Sequence, residues 1–107
     1  MTANRANRKA FAKCRTVLES LPDTPDGIAA RLRELDVTGI PGRSRSCALA
    51  AFLKQQTGRQ WDVWIGGPDA YFAQLPYDYG LVELAAPVRY FVNRFDDRAY
   101  PDLIRED

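Results

Sequence analysis

Histidine is missing from this chain altogether, and that absence excludes more chemistry than any motif supplies. Without it there is no Ser-His-Asp or Cys-His catalysis, no HExxH zinc hydrolase and no imidazole pH sensor. Cysteine is scarce: Cys14 and Cys47 are fewer than the four Cys/His ligands a structural zinc site takes. No apolar run approaches the ~20 residues that span a bilayer. The phosphate-cradling GxxxxGK[ST], the dinucleotide GxGxxG and the DxDxDG calcium loop are all absent. The start, "MTANRANRKAFAKCR", lacks the apolar stretch of a secretory signal. It is Arg-rich and free of acids until Glu19, in the manner of an organelle transit peptide, but nothing else supports that reading. The expectation is a cytoplasmic, non-enzymatic protein with reduced thiols, no metal and no cofactor.

What is present fits one core. At 107 residues, 46% hydrophobic and 27% charged, residues 1–107 read as a single globular domain, with the basic segment 1–22 peripheral to it. The net charge of +1 conceals a polarity. Residues 1–59 carry eleven Lys/Arg against five Asp/Glu, and residues 60–107 carry four Arg against nine Asp/Glu. Such a chain binds an anionic partner with its first half, or neutralises itself when the halves pack; the second is the plainer account.

Residues 4–21 have helical spacing, with Ala10, Phe11, Cys14, Val17, Leu18 and Leu21 on one stripe and Pro22 as the stop. "DTPDGIAARLRELDVTG" predicts a second helix capped by Thr24, with Pro25 at its first position, Asp26 at its positive end and Gly39 at its exit. A third is expected over 46–57, capped by Ser44 or Ser46 and stopped at Gly58. The period then changes to two. Trp61, Val63 and Ile65 alternate with Asp62 and Trp64, "GGPD" turns, and strands over Ala70–Leu75 and Leu81–Leu84 follow, separated by the "PYDYG" turn. Pro87 opens a last helix through Val88, Phe91, Val92 and Phe95, and Tyr100 with Leu103–Ile104 fold back. The fold class is α+β: three N-terminal helices, a small antiparallel three-stranded meander and a C-terminal helix.

The stretch "TGIPGRSRSCALAAFL" raises the sharpest functional question. Amides at a helix start beside Arg43 and Arg45 make an anion site, and a cysteine in a first turn can be activated by the helix dipole. Against both, "GIPG" reads as a turn set by Pro41, and "SCALAAFL" as a close-packed helix start with a buried thiol. The structural joint is the preferred reading. Asp96, Asp97 and Asp102 are interleaved with Arg94 and Arg98, which points to a solvated ion-pair face rather than an acid/base pair or Mg²⁺ ligands.

Two recognition readings remain. Arg5, Arg8, Lys9 and Lys13, with Arg43 and Arg45, can track phosphates of a nucleic acid. The gap from Asp36 to Ser46 is too long for a helix-turn-helix, and a pI near 7.8 is low for a dedicated nucleic-acid binder. Alternatively Trp64, facing away from Trp61, Val63 and Ile65, joins Tyr71, Tyr77 or Tyr79 on an open sheet face that grips another protein; the competing account is a second small core. "TGIPGRSRSCALAAFL" followed by a small sheet and "APVRYFVNRFDDRAYPDL" resembles short proteins of actinobacteria and their phages for which no activity is established. The likeness spans residues 26–104 and transfers no site residue. It implies a bacterial or phage cytosolic origin and is silent about function; the small size, the lack of catalytic groups and the surplus aromatics are what favour a binding, adaptor or regulatory protein.

Overall fold

The computed structural model describes residues 5–58, 62–66, 68–74 and 78–105. Among the described residues four helices and one sheet follow in the expected order: α1 (Arg5–Glu19), α2 (Pro25–Glu34), α3 (Ala48–Thr57), β1 (Asp62–Gly66), β2 (Asp69–Gln74), β3 (Asp78–Glu83) and α4 (Ala86–Asp96), then a 3₁₀ turn over Pro101–Leu103. The sheet is an antiparallel meander in the order β1-β2-β3. The chain is therefore α+β.

The helix boundaries show which local signals were strong. Thr24 caps α2 by accepting the Gly27 N–H at 3.0 Å, with Pro25 and Asp26 in the first turn as the sequence indicates. Its exit is not Gly39. Asp36 adopts a left-handed φ of 58°, and the Asp36 and Val37 N–H groups return to the Arg33 and Leu32 carbonyls at 3.0 Å each. This is the Schellman arrangement with aspartate in the usual glycine position. Helix α4 ends the same way, with Arg98 at φ 64°. Helix α1 stops at Glu19, short of Pro22, where Ser20 Oγ donates to the Val17 carbonyl at 2.6 Å.

One continuous core joins Cys14 and Leu18 of α1, Ile28 and Leu32 of α2, Leu49, Phe52 and Leu53 of α3, Val63 and Ile65 of β1, and Phe91 and Phe95 of α4. Full burial of each such side chain contributes about 1.5–3 kcal/mol. The basic first helix is thus anchored by its C-terminal half, through contacts with α3 and β3, and is not wholly peripheral. Helix α2 lies against α4 and the final turn. Tyr100 is buried on Phe91, ring centroids 5.5 Å apart, and its hydroxyl donates to Asp26 at 2.8 Å. The charged halves meet where the sequence polarity suggests: Arg33 forms a two-pronged pair with Asp102, and Arg45 pairs with Asp62 at 3.2 Å.

Strand alternation divides the sheet. Val63, Ile65, Ala70, Val82 and Leu84 are buried, while Trp64, Tyr71 and Leu81 occupy the opposite face. Strand β3 begins at Asp78, earlier than Leu81, so Tyr79 and Gly80 belong to a strand and not to a turn.

Candidate functional site

The segment 38–46 is a junction at which four parts of the chain are tied together. Gly39 donates to the Leu103 carbonyl at 2.9 Å and accepts from the Arg105 N–H at 2.8 Å, a parallel bridge that holds the C-terminal tail. Pro41 and Gly42 form a turn closed by the Arg43 N–H on the Ile40 carbonyl, with Gly42 at φ 75° as a type II turn requires. The Gly42 N–H donates to the Asp96 carboxylate at 3.0 Å. The Ser44 carbonyl accepts the Ile65 N–H of β1 at 2.9 Å, and Ile40 bonds Ser46 across the loop at 2.8 Å.

This geometry explains why the helix start behaves as a joint. A Cβ on Gly39 would lie 2.2 Å from the Ala48 nitrogen and 2.4 Å from the Cys47 carbonyl carbon. The chain at Gly39 therefore lies directly over the beginning of α3. Glycine is needed there for close approach of two backbones, not for mobility. The amide of Gly42, open to an anion from sequence alone, is occupied by the protein's own Asp96.

The expected cap is corrected. Neither Ser44 nor Ser46 caps α3; Cys47 takes that position, with no side-chain cap hydrogen bond. Ser44 and Ser46 are committed through their backbones to β1 and Ile40, which leaves Cys47 at the turn into the helix. Burial pushes the Cys47 thiol up, against a smaller lowering by the N–H groups of Ala50 and Leu49, so desolvation outweighs the helix terminus. Burial likewise raises Cys14, to about 12. Both thiols are free and buried.

The outer sheet face is the other candidate. Trp64 pairs with Tyr71, and Tyr71 with Leu81, making one row across three strands. The Trp64 and Tyr71 rings stack at 5.4 Å, 7° from parallel, and the Arg45 guanidinium lies 4.9 Å from the Trp64 ring centroid. Asp62 on the same face holds that guanidinium. Trp64 and Tyr71 are half-buried and Leu81 is 49% exposed. Alternation thus brings Trp64, Tyr71 and Leu81 together, and the loop adds Arg45. Leu81 is legible in the sequence because it falls out of phase with Val82 and Leu84. Arg45 is not, because only the fold of the loop sets it over the ring. Position 79 lies in register with Ala73; the Tyr79 side chain, Tyr77 and Trp61 lie outside the described residues.

The basic set is less defined. Arg5, Arg8 and Lys9 fall on α1, their side chains outside the described residues, and Lys13 and Arg43 are exposed. Arg45 belongs to the aromatic row rather than to a separate basic surface. Among the described residues no three of Cys, Asp and Glu gather as metal ligands, and no helix is long and apolar enough to cross a membrane. Comparison with protein-family models, curated proteins and solved structures finds no match.

Proposed function

We propose that this chain is a small, non-enzymatic adaptor or regulatory protein of the cytoplasm that binds another protein through the outer face of its sheet. The observation that carries the proposal is the composition of that face: Trp64 stacked on Tyr71 and in contact with Arg45, with Leu81 exposed in the same row. Trp, Tyr and Arg are the residues that most often dominate binding energy at interfaces. Here the stack and the ion pair fix their rotamers beforehand, so less side-chain entropy is lost on docking. Catalysis has no comparable support, since the buried thiols have their pKa raised and no imidazole is present to activate them.

The test is capture of a partner from the native host at low and moderate salt, with and without nuclease, using the wild-type protein beside Trp64→Ala. Retention through nuclease and salt, with loss on Trp64→Ala, is the expected result. Binding that falls steeply with salt and follows Arg5, Arg8, Lys9, Lys13 and Arg43 would instead assign the protein to nucleic acid, because counterion release has that signature.

A further inference from the structure

The two edges of the sheet are not equivalent. On β1 the Ile65 N–H is occupied by the Ser44 carbonyl, so the loop covers that edge. This bond also fixes the parity of the ladder. Ile65 points its backbone away from β2, so Trp64 and Tyr71 exchange hydrogen bonds, and Tyr71 has none left for Leu81. Leu81 and Glu83 therefore direct N–H and C=O outward from β3. The Leu84 N–H, returning to the Pro68 carbonyl at 2.8 Å, has the opposite parity and confirms the alternation. Natural edges are blunted by lysine, proline or bulges. Strand β3, "DYGLVE", has no lysine or proline, carries charge only at its two ends, Asp78 and Glu83, and pairs with β2 without a bulge through all six positions.

Beside this edge runs an open groove of about 570 Å³, lined by Arg15, Leu18 and Glu19 of α1 and by Leu81, Glu83 and Val88. Helix α1, which packs against β3, forms its far wall, and the walls carry one cation, Arg15, and two anions, Glu19 and Glu83.

We propose that the partner of this edge is a second copy of the chain, its β3 antiparallel to the first across a two-fold axis at Leu81, giving a continuous six-stranded sheet. Three features select a copy over an unrelated strand. The antiparallel register sets Leu81 against the partner's Leu81, so each half-exposed leucine covers the other and the rows Trp64–Tyr71–Leu81 of both subunits join end to end. The same register sets Glu83 opposite the partner's residue 79, so the like charges at the strand ends are not opposed. The groove beside the edge carries Arg15 together with Glu19 and Glu83, and a surface that carries both signs can complement itself across a two-fold. This proposal does not rest on the binding role of Trp64. The dimer would leave the aromatic face open and double it.

Sedimentation equilibrium over a wide concentration range reads the association, with amide hydrogen exchange of Leu81 measured at both ends of that range. A monomer–dimer equilibrium is expected, with the Leu81 amide protected only where the dimer predominates. Leu81→Lys should weaken association by at least about tenfold while leaving the circular dichroism unchanged, since the side chain is exposed. Arg15→Glu should weaken it by a few-fold, and Arg15→Glu combined with Glu19→Arg should restore it. A monomer at every concentration overturns the proposal. So does a dimer that survives Leu81→Lys and is lost on Trp64→Ala, which would place the contact on the face.

Discussion

Replacing Gly39 with alanine puts a single methyl group against backbone that cannot rotate out of its way. The Cβ would sit 2.2 Å from the Ala48 nitrogen, 2.4 Å from the Cys47 carbonyl carbon and 2.7 Å from the Ala48 Cα. Ordinary contact needs more than a further ångström, so the loop must lift from α3. Overpacking of this kind costs about 1–3 kcal/mol. Lifting the loop also disturbs the two hydrogen bonds that Gly39 makes to Leu103 and Arg105, at about 1 kcal/mol each. The sum is about 3–5 kcal/mol, a large part of the ~5–15 kcal/mol that holds a domain folded. Urea denaturation should show a lower midpoint with unchanged slope, and thermal melting a Tm lower by about 15 °C. Gly42→Ala is the internal control. Nothing lies within 4 Å of a Cβ there, and only the φ of +75° resists, so it should cost about 1–2 kcal/mol. A Gly39→Ala variant within about 1 kcal/mol of wild type, or one less damaging than Gly42→Ala, would refute the close-approach reasoning.

Two further predictions concern buried groups. Cys14 and Cys47 should react with an aromatic disulfide reagent at neutral pH only as fast as the protein opens, because burial holds both as neutral thiols; labelling faster than unfolding would show an activated cysteine. Tyr100→Phe should cost about 1 kcal/mol by removing the hydrogen bond to Asp26. Burial, then the bond to Asp26, raises Tyr100 above its ordinary value. Its contribution is therefore present below the unfolded pKa of about 10 and is lost as pH rises above it. The alkaline limb of the stability profile should be flatter in Tyr100→Phe, and equal limbs would contradict the assignment.

The features legible in the sequence were those set by near neighbours. Thr24-Pro25-Asp26 names its own helix start because the cap, the fixed φ and the dipole charge all act within one turn. Val63 and Ile65 declare a face by alternating with Asp62 and Trp64. The features that stayed hidden depend on contacts remote in the chain. Gly39 looked like a helix exit because nothing local announces that residues 47 and 48 will be packed against it. Asp36 does not announce a helix end, because aspartate enters the left-handed region less readily than glycine, and only the closing bonds to Leu32 and Arg33 reveal it. Ser44 and Ser46 have good capping side chains, yet tertiary hydrogen bonds claim their backbones and move the helix start past them. In "PYDYG" the turn-forming composition masked the first half of β3, where pairing with β2 overrides local preference.

The central claim is that Trp64 anchors recognition of a protein on the outer face of the sheet, and the direct test is the affinity of the captured partner for wild type and for Trp64→Ala. Titration calorimetry at moderate salt, with circular dichroism confirming the fold of the variant, gives the ratio. An anchor of this kind is worth at least about 2 kcal/mol, so affinity should fall about 30-fold or more, while Arg43→Ala leaves it within a few-fold. Equal affinity for wild type and Trp64→Ala, with loss on Arg43→Ala and Lys13→Ala instead, would contradict the account.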